Sequence, residues 1–199
     1  MKLFWCPQTR AVRALWMLEE MGIKFERVRI DIRDASKPRD PEFALASPMG
    51  KVPALADGEA RLADTAAICL YLADRYPKTG LAPTADDPLR ARYLWWMVFT
   101  PGVIEPAMSE KFAGTAPNRV RSGWGDFDLM IETFEKGLKP GPWILGEKFS
   151  AADVMLGSSA VFMRQFGMLP KNPSIEAYAD RCLARPAYQR ALKTEETAA

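Results

Sequence analysis

The side chain best equipped for covalent chemistry in this sequence is the thiol of Cys6, which opens the run Cys6-Pro7-Gln8-Thr9-Arg10. Its weight grows because the 199 residues include no histidine. Without an imidazole, Ser-His-Asp and Cys-His nucleophile pairs cannot form within one chain, and neither can histidine-containing zinc sites. The other two cysteines, Cys69 and Cys182, stand too far from Cys6 and from each other for a local metal motif, so no metal site is expected. An odd, low cysteine count also argues against a disulfide framework. Chemistry is left to a thiol, hydroxyls, carboxylates, backbone dipoles or a cofactor. Two further runs are candidates, Gly50-Lys51-Val52-Pro53 and Asp64-Thr65. The first is not a phosphate loop, because the upstream glycine and the following Ser or Thr are missing.

The elements that must position these residues can be read from periodicity. Residues 2–5 form a short apolar run suited to a buried strand, and Pro7 ends it. Ala11, Ala14, Leu15, Leu18 and Met21 recur at helical spacing before Gly22, a C-terminal stop. Residues 25–32 alternate as a half-buried strand. Residues 34–48 hold Pro38, Pro41 and Pro48, so a loop with at most a short helix is expected. Residues 52–56 and 60–62 flank Asp57-Gly58, a hairpin signal. Asp64 then caps a helix running to Tyr76.

Residues 77–88 read as a linker, and beyond them the pattern is helical throughout. The spacing predicts helices over 89–99, about 118–138, 150–165 and 174–184, with a short one after Pro186. Ser150 and Asp153 are spaced as a capping box. The expected organisation is therefore an α/β domain over 1–77, a linker over 78–88 and an all-helical domain over 89–199.

Composition narrows the functional classes. The chain is 48% hydrophobic and 26% charged with a formal charge of +2, the balance of a folded globular protein. The charge is spread evenly, so neither a nucleic-acid face nor a polybasic membrane anchor is expected. No run approaches the ~18 apolar residues of a membrane span. The opening residues lack a signal-peptide pattern, and a cytoplasmic protein is expected.

Three stretches together resemble the glutathione S-transferase superfamily. They are Cys6-Pro7-Gln8-Thr9-Arg10; Gly50-Lys51-Val52-Pro53-Ala54-Leu55 with Asp64-Thr65-Ala66-Ala67-Ile68; and Trp143-Ile144-Leu145-Gly146 with Phe149-Ser150-Ala151-Ala152-Asp153. Their order covers nearly the whole chain. The resemblance implies a thioredoxin-like N-terminal domain, an all-α C-terminal domain, a homodimer, and glutathione as co-substrate against a small electrophile.

It also implies roles. Pro53 stands where the family carries a cis proline, leaving the Val52 backbone free to pair with a peptide-like ligand, as in strand addition. Thr65 and the first N–H groups of its helix suit the γ-glutamyl carboxylate, Asp64 its ammonium, and Lys51 the glycyl carboxylate. Many members activate the thiol with Ser or Tyr. A Cys-Pro pair resembles instead the omega-type and glutaredoxin-like branch, which favours mixed disulfides. Helix N–H groups and the nearby Arg10 and Arg13 would favour the Cys6 thiolate. Cys6 and Thr9 both stay open as the activating residue. For the acceptor, expected between the domains, the aromatic run around residues 93–99 points to Trp96 and Thr100. Three functions compete: a transferase, a thiol oxidoreductase or lyase with Cys6 as nucleophile, and a non-catalytic binding module.

Overall fold

Four short strands build the first sheet, and each follows from the local pattern. The computed structural model describes residues 1–34 and 39–197, so part of the expected proline-rich loop, residues 35–38, lies outside the described residues. Strand β1 (Lys2–Trp5) is followed by helix α1 (Ala11–Met21), which Gly22 ends at φ 63° with its N–H on the Leu18 carbonyl. A left-handed residue there suits glycine, which has no Cβ to clash. Strand β2 (Glu26–Arg29) runs parallel to β1. It is shorter than the alternation over 25–32 suggests: Ile30 still gives its N–H to the Trp5 carbonyl, and no strand continues beyond it.

Helix α2 (Pro41–Ala46) is capped by Asp40, which accepts the Phe43 N–H at 2.9 Å. Strands β3 (Ala54–Asp57) and β4 (Ala60–Ala63) form the expected hairpin, and α3 (Thr65–Arg75) follows. The sheet order is β2-β1-β3-β4, with β1/β3 and β3/β4 antiparallel. This mixed sheet with its helices, followed by a helical unit, is the thioredoxin-like and all-α arrangement anticipated from the sequence.

Packing divides the chain into Met1–Thr79, joined by the segment from Arg185 onward, and Gly80–Ala184. The pattern groups residues 89–199 together, but the last helix, α9 (Pro186–Glu196), packs along α1. The causes are specific. Trp16 stacks on Tyr188 with ring centroids 4.1 Å apart, Arg185 forks onto both oxygens of Glu20, and Arg190 binds Glu19. Paired guanidinium–carboxylate bonds fix geometry as well as adding energy.

The second unit holds α4 (Arg90–Phe99), α5 (Glu105–Phe112), α6 (Phe127–Gly137), α7 (Ala151–Gln165) and α8 (Pro173–Leu183). A π-helical turn, Thr100–Ile104, joins α4 to α5. The helix expected from about residue 118 begins instead at Phe127. Gly123 and Gly125 interrupt it, Gly125 at φ 71°, and Asp126 becomes the cap by accepting the Leu129 N–H at 2.8 Å. No helix is long and apolar enough to cross a membrane among the described residues.

Asp153 organises this unit. Its carboxylate is fully buried and accepts the N–H of Ile144 and of Ser150 and the hydroxyls of Ser150 and Tyr178, all at 2.8–3.0 Å. Burial raises its pKa, and these four donors oppose the rise. The capping box is thus also a tie between the 143–146 turn, α7 and α8. Asp153→Ala strands three or more buried donors at about 1–3 kcal/mol each. The expected outcome in urea denaturation is a loss of at least about 3 kcal/mol; a loss under 1 kcal/mol would show that the tie is dispensable.

Candidate functional site

Strand register brings the sequence candidates to one end of the sheet. Phe4 pairs with Ala54 and Ala54 with Ala63. Carried two residues further, the first register sets Cys6 beside Val52; carried one further, the second sets Asp64 beside Pro53. The chain leaving β2 starts from the same end, since Trp5 pairs with Arg29. Residues 6, 52–53, 64 and the 30–33 segment therefore converge although up to 58 positions separate them.

The turn after β1 is closely tied. Gln8 adopts φ 58°, a left-handed conformation uncommon for a residue with a Cβ. The Thr9 hydroxyl donates to the Cys6 carbonyl at 2.6 Å and accepts the Ala11 N–H at 3.2 Å. Its proton is committed to the backbone, so serving a ligand sulfur would require the hydroxyl to turn away. Cys6 is buried, and the guanidinium of Arg33 spans it: Nη1 lies 3.1 Å from Sγ, and Nη2 donates to the Pro7 carbonyl at 3.0 Å.

Arg33 was not singled out by the sequence reading, which looked to Arg10 and Arg13. Arg13 is buried and acts on Cys69, and Arg10 is exposed at the start of α1. The signal for Arg33 lay in the parallel pairing of β1 and β2, a tertiary fact. Burial pushes the Cys69 thiol up to about 12 against the opposing pull of Arg13, which leaves Cys69 a neutral core group. Cys182 is likewise buried.

The second edge is the segment before β3. Ser47 clasps Lys51 from both sides, its hydroxyl accepting the Lys51 N–H at 2.9 Å and donating to the Lys51 carbonyl at 2.7 Å. The Lys51 side chain is exposed, and the Val52-Pro53 bond is cis, as the resemblance implied. The Val52 backbone makes no hydrogen bond among the described residues, so its N–H and C=O remain available. Arg39, also not anticipated, lays its guanidinium against Gly50 where a Cβ would otherwise stand.

Asp64 is the most constrained residue of the group. It holds φ 75° and ψ 131° while capping α3, with Oδ1 accepting the N–H of Ala66 at 2.9 Å and of Ala67 at 3.4 Å. Such a conformation costs a residue with a side chain about 1–3 kcal/mol. The residue is exposed, and Oδ2 has no partner among the described residues. Thr65, beside it, is buried at the helix start. A helix N-terminus, a spare carboxylate oxygen and an open backbone edge together suit a zwitterionic, peptide-like ligand.

Trp96 and Thr100 lie in the helical unit, 2% and 0% exposed. Trp96 packs against Phe99 and Phe134, and Gly137 leaves room for its ring. The Trp96 indole N–H and Thr100 hydroxyl have no partner among the described residues. The neighbouring Trp95 is half exposed and lines a shallow surface groove with Arg92, Thr133 and Lys136.

A thioredoxin-like unit with this edge, followed by a helical unit, defines the general class, and comparison with known proteins identifies the family. Residues 5–75 match the glutathione S-transferase N-terminal domain, and residues 105–181 match the C-terminal domain. A glutathione transferase from Methylococcus capsulatus is 30% identical, with a TM-score of 0.83 and 98% of each chain covered. A sphingomonad glutathione S-transferase solved with glutathione is 30% identical at a TM-score of 0.80, over 98% of this chain and 99% of that one. The disulfide-bond oxidoreductase YfcG of Escherichia coli is 28% identical, over 96% of this chain and 93% of its own. This chain belongs to the glutathione S-transferase family.

The strain at Asp64 gives a direct test. Asp64→Gly relieves the positive φ and loses only a few tenths of a kcal/mol of capping. Thermal unfolding should show the variant more stable by about 1 kcal/mol. A destabilised variant would mean that the cap outweighs the strain.

Proposed function

We propose that this protein is a glutathione transferase that binds glutathione at the register-built edge of its first unit and directs the thiolate at a small electrophile. The observation that carries the reading is Asp64: held at positive φ on a helix start, with one carboxylate oxygen spare, near a Val52 backbone that makes no hydrogen bond among the described residues. Asp64 takes the γ-glutamyl ammonium, and Thr65 with the first N–H groups of α3 takes the carboxylate. The Val52 backbone, oriented by Pro53, pairs with the cysteinyl unit, and Lys51 meets the glycyl carboxylate. Cys6 or Thr9 then hydrogen-bonds the sulfur, stabilising the thiolate that attacks the electrophile. Trp96 and Thr100, whose buried donors lack partners among the described residues, are assigned to the acceptor side. The role is detoxification of electrophiles in the cytoplasm, where glutathione is abundant and cysteines stay reduced.

Removing the Asp64 carboxylate deletes a charge-assisted bond worth about 1.5–3 kcal/mol. Calorimetry should therefore find at least about tenfold weaker glutathione binding in Asp64→Gly. Affinity equal to wild type would overturn the assignment.

One observation favours a second reading, thiol exchange. The Arg33 guanidinium lies 3.1 Å from Cys6 Sγ, and one relative is named a disulfide-bond oxidoreductase. In that chemistry the Cys6 thiolate attacks the glutathionyl sulfur of a mixed disulfide and expels the other thiolate. A second glutathione thiolate then attacks the Cys6–glutathione disulfide, releasing oxidised glutathione and restoring Cys6. Cys6→Ser separates the readings. As a transferase it retains conjugation, whereas in thiol exchange it loses disulfide reduction, and incubation with oxidised glutathione adds one glutathionyl unit to wild type alone.

The protein is further proposed to be a homodimer. Apolar side chains are exposed on each unit, Leu45 and Met49 on the first and Trp95 and Val98 on the second, where they would otherwise face water. Sedimentation at micromolar concentration should show a species of twice the 22.3 kDa chain mass. A single species of chain mass would refute it.

A further inference from the structure

Cys6 is only 2% exposed, yet the side chain lying over it belongs to an exposed residue. Arg33 Nη1 stands 3.1 Å from Sγ, and Nη2 donates to the Pro7 carbonyl at 3.0 Å. These two points hold the guanidinium across the thiol. Neither partner is a carboxylate. A thiol sulfur is a weak acceptor and a main-chain carbonyl is uncharged. A guanidinium fork matches the two oxygens of a carboxylate, and such bonds are about twice as strong as neutral ones. The cover over Cys6 is thus held by partners that an arriving carboxylate outcompetes.

The guanidinium can withdraw without disturbing the sheet. Ile30 gives its N–H to the Trp5 carbonyl at 2.8 Å, and Arg33 lies beyond that bond. Its own N–H closes a turn on Asp31 Oδ1 at 3.2 Å, which anchors the backbone and leaves the side chain to move. The two carboxylates of glutathione are already assigned to Thr65 with the start of α3 and to Lys51. A carboxylate that meets Arg33 therefore belongs to the second substrate.

We propose that Arg33 is a specificity-determining residue, whose guanidinium covers the Cys6 thiol until a carboxylate on the second substrate draws it off. Cys6 then reacts preferentially with small acidic molecules. The proposal rests on the thiol-exchange reading. A carboxylate oxygen bonds a guanidinium nitrogen at about 2.8 Å, and that nitrogen starts 3.1 Å from Sγ. The acid group of the substrate therefore lies within a few bonds of its reacting sulfur. A mixed disulfide between glutathione and a short mercapto acid has this form. The Cys6 thiolate attacks the glutathionyl sulfur, the S–S bond breaks, and its electron pair leaves on the mercapto acid, whose carboxylate Arg33 holds. A second glutathione thiolate then attacks the Cys6–glutathione disulfide, giving oxidised glutathione and the Cys6 thiolate.

The test compares iodoacetate with iodoacetamide, which differ by one charge at nearly equal size and alkylate a thiol with loss of iodide. Peptide mapping at one fixed pH follows Cys6, with the buried Cys69 and Cys182 as internal controls. Wild type should react faster with iodoacetate. R33A should react with iodoacetamide at least about tenfold faster than wild type, the scale of one hydrogen bond to a charged group, and should lose the preference for the acid. R33K, a point charge without the fork, should keep that preference but lose the shielding; shielding equal to wild type would refute the two-point cover. Slower iodoacetamide reaction in R33A, or one reagent preference shared by wild type and R33A, would overturn the proposal. Turnover separates it from the reading beneath it. Wild type should show a higher kcat/KM for the glutathione–mercaptoacetate disulfide than for the glutathione–mercaptoethanol disulfide, and R33A should not. If neither disulfide turns over while the alkylation pattern holds, the thiol-exchange reading fails and the cover stands. If both turn over with the same ratio in wild type and R33A, thiol exchange stands and the specificity role is refuted.

Discussion

Everything the site does depends on the register of β1, β3 and β4. Side chains alternate along a strand, so a slip of one residue would move every group to the opposite face. With Phe4 on Ala54 and Ala54 on Ala63, the end of β1, the start of β3 and the end of β4 lie side by side. That pairing converts three distant runs of sequence into one edge. It is enforced by burial: Leu3, Phe4, Ala54 and Leu55 are all inaccessible to water, and Phe4 meets Phe43 at 5.7 Å. Shifting the strands would expose this core, at roughly 25 cal/mol for each Å² of apolar surface returned to water.

On that frame the functional backbone is held in shapes it would not choose alone. Gln8 and Asp64 sit at positive φ, and polar clasps support the neighbouring segments: Ser47 on Lys51, Arg33 on Cys6 and Pro7, and Thr9 on its own turn. Among the described residues the Val52 backbone and Asp64 Oδ2 make no hydrogen bond, and these are the groups proposed to meet the ligand. Rigidity of this kind reduces the ordering that binding would otherwise require. The helical unit shows the same logic used only for stability, with the four bonds of Asp153 all turned inward.

Elements governed by local rules were readable from the sequence. Gly22 after an apolar helical run, Asp57-Gly58 between two strands, Asp64 before α3 and the Ser150/Asp153 box each have one favourable local geometry, and the structure adopts it. The pattern over 118–138 overextends the helix, because Gly123 and Gly125 stand inside it and Asp126 is the residue that caps the observed start. Long-range features were not readable. Arg33 reaches Cys6 across 27 positions, and the Arg185 guanidinium at the start of α9 reaches Glu20 across 165. Neither contact leaves a trace in spacing, because it depends on how β2 and α9 dock. The candidate site residues are named through the family's ordered motifs, whereas the groups packed against them came only with the fold.

Glutathione is proposed to bind at the register-built edge, against Asp64 and the Val52 backbone. The most direct measurement is a backbone-resolved NMR titration with reduced glutathione. Saturable shifts are expected at the amides of Val52, Thr65, Ala66 and Ala67 and in the turn of residues 6–9. Saturable binding that leaves Val52 and Thr65 unmoved while shifting residues elsewhere would contradict it.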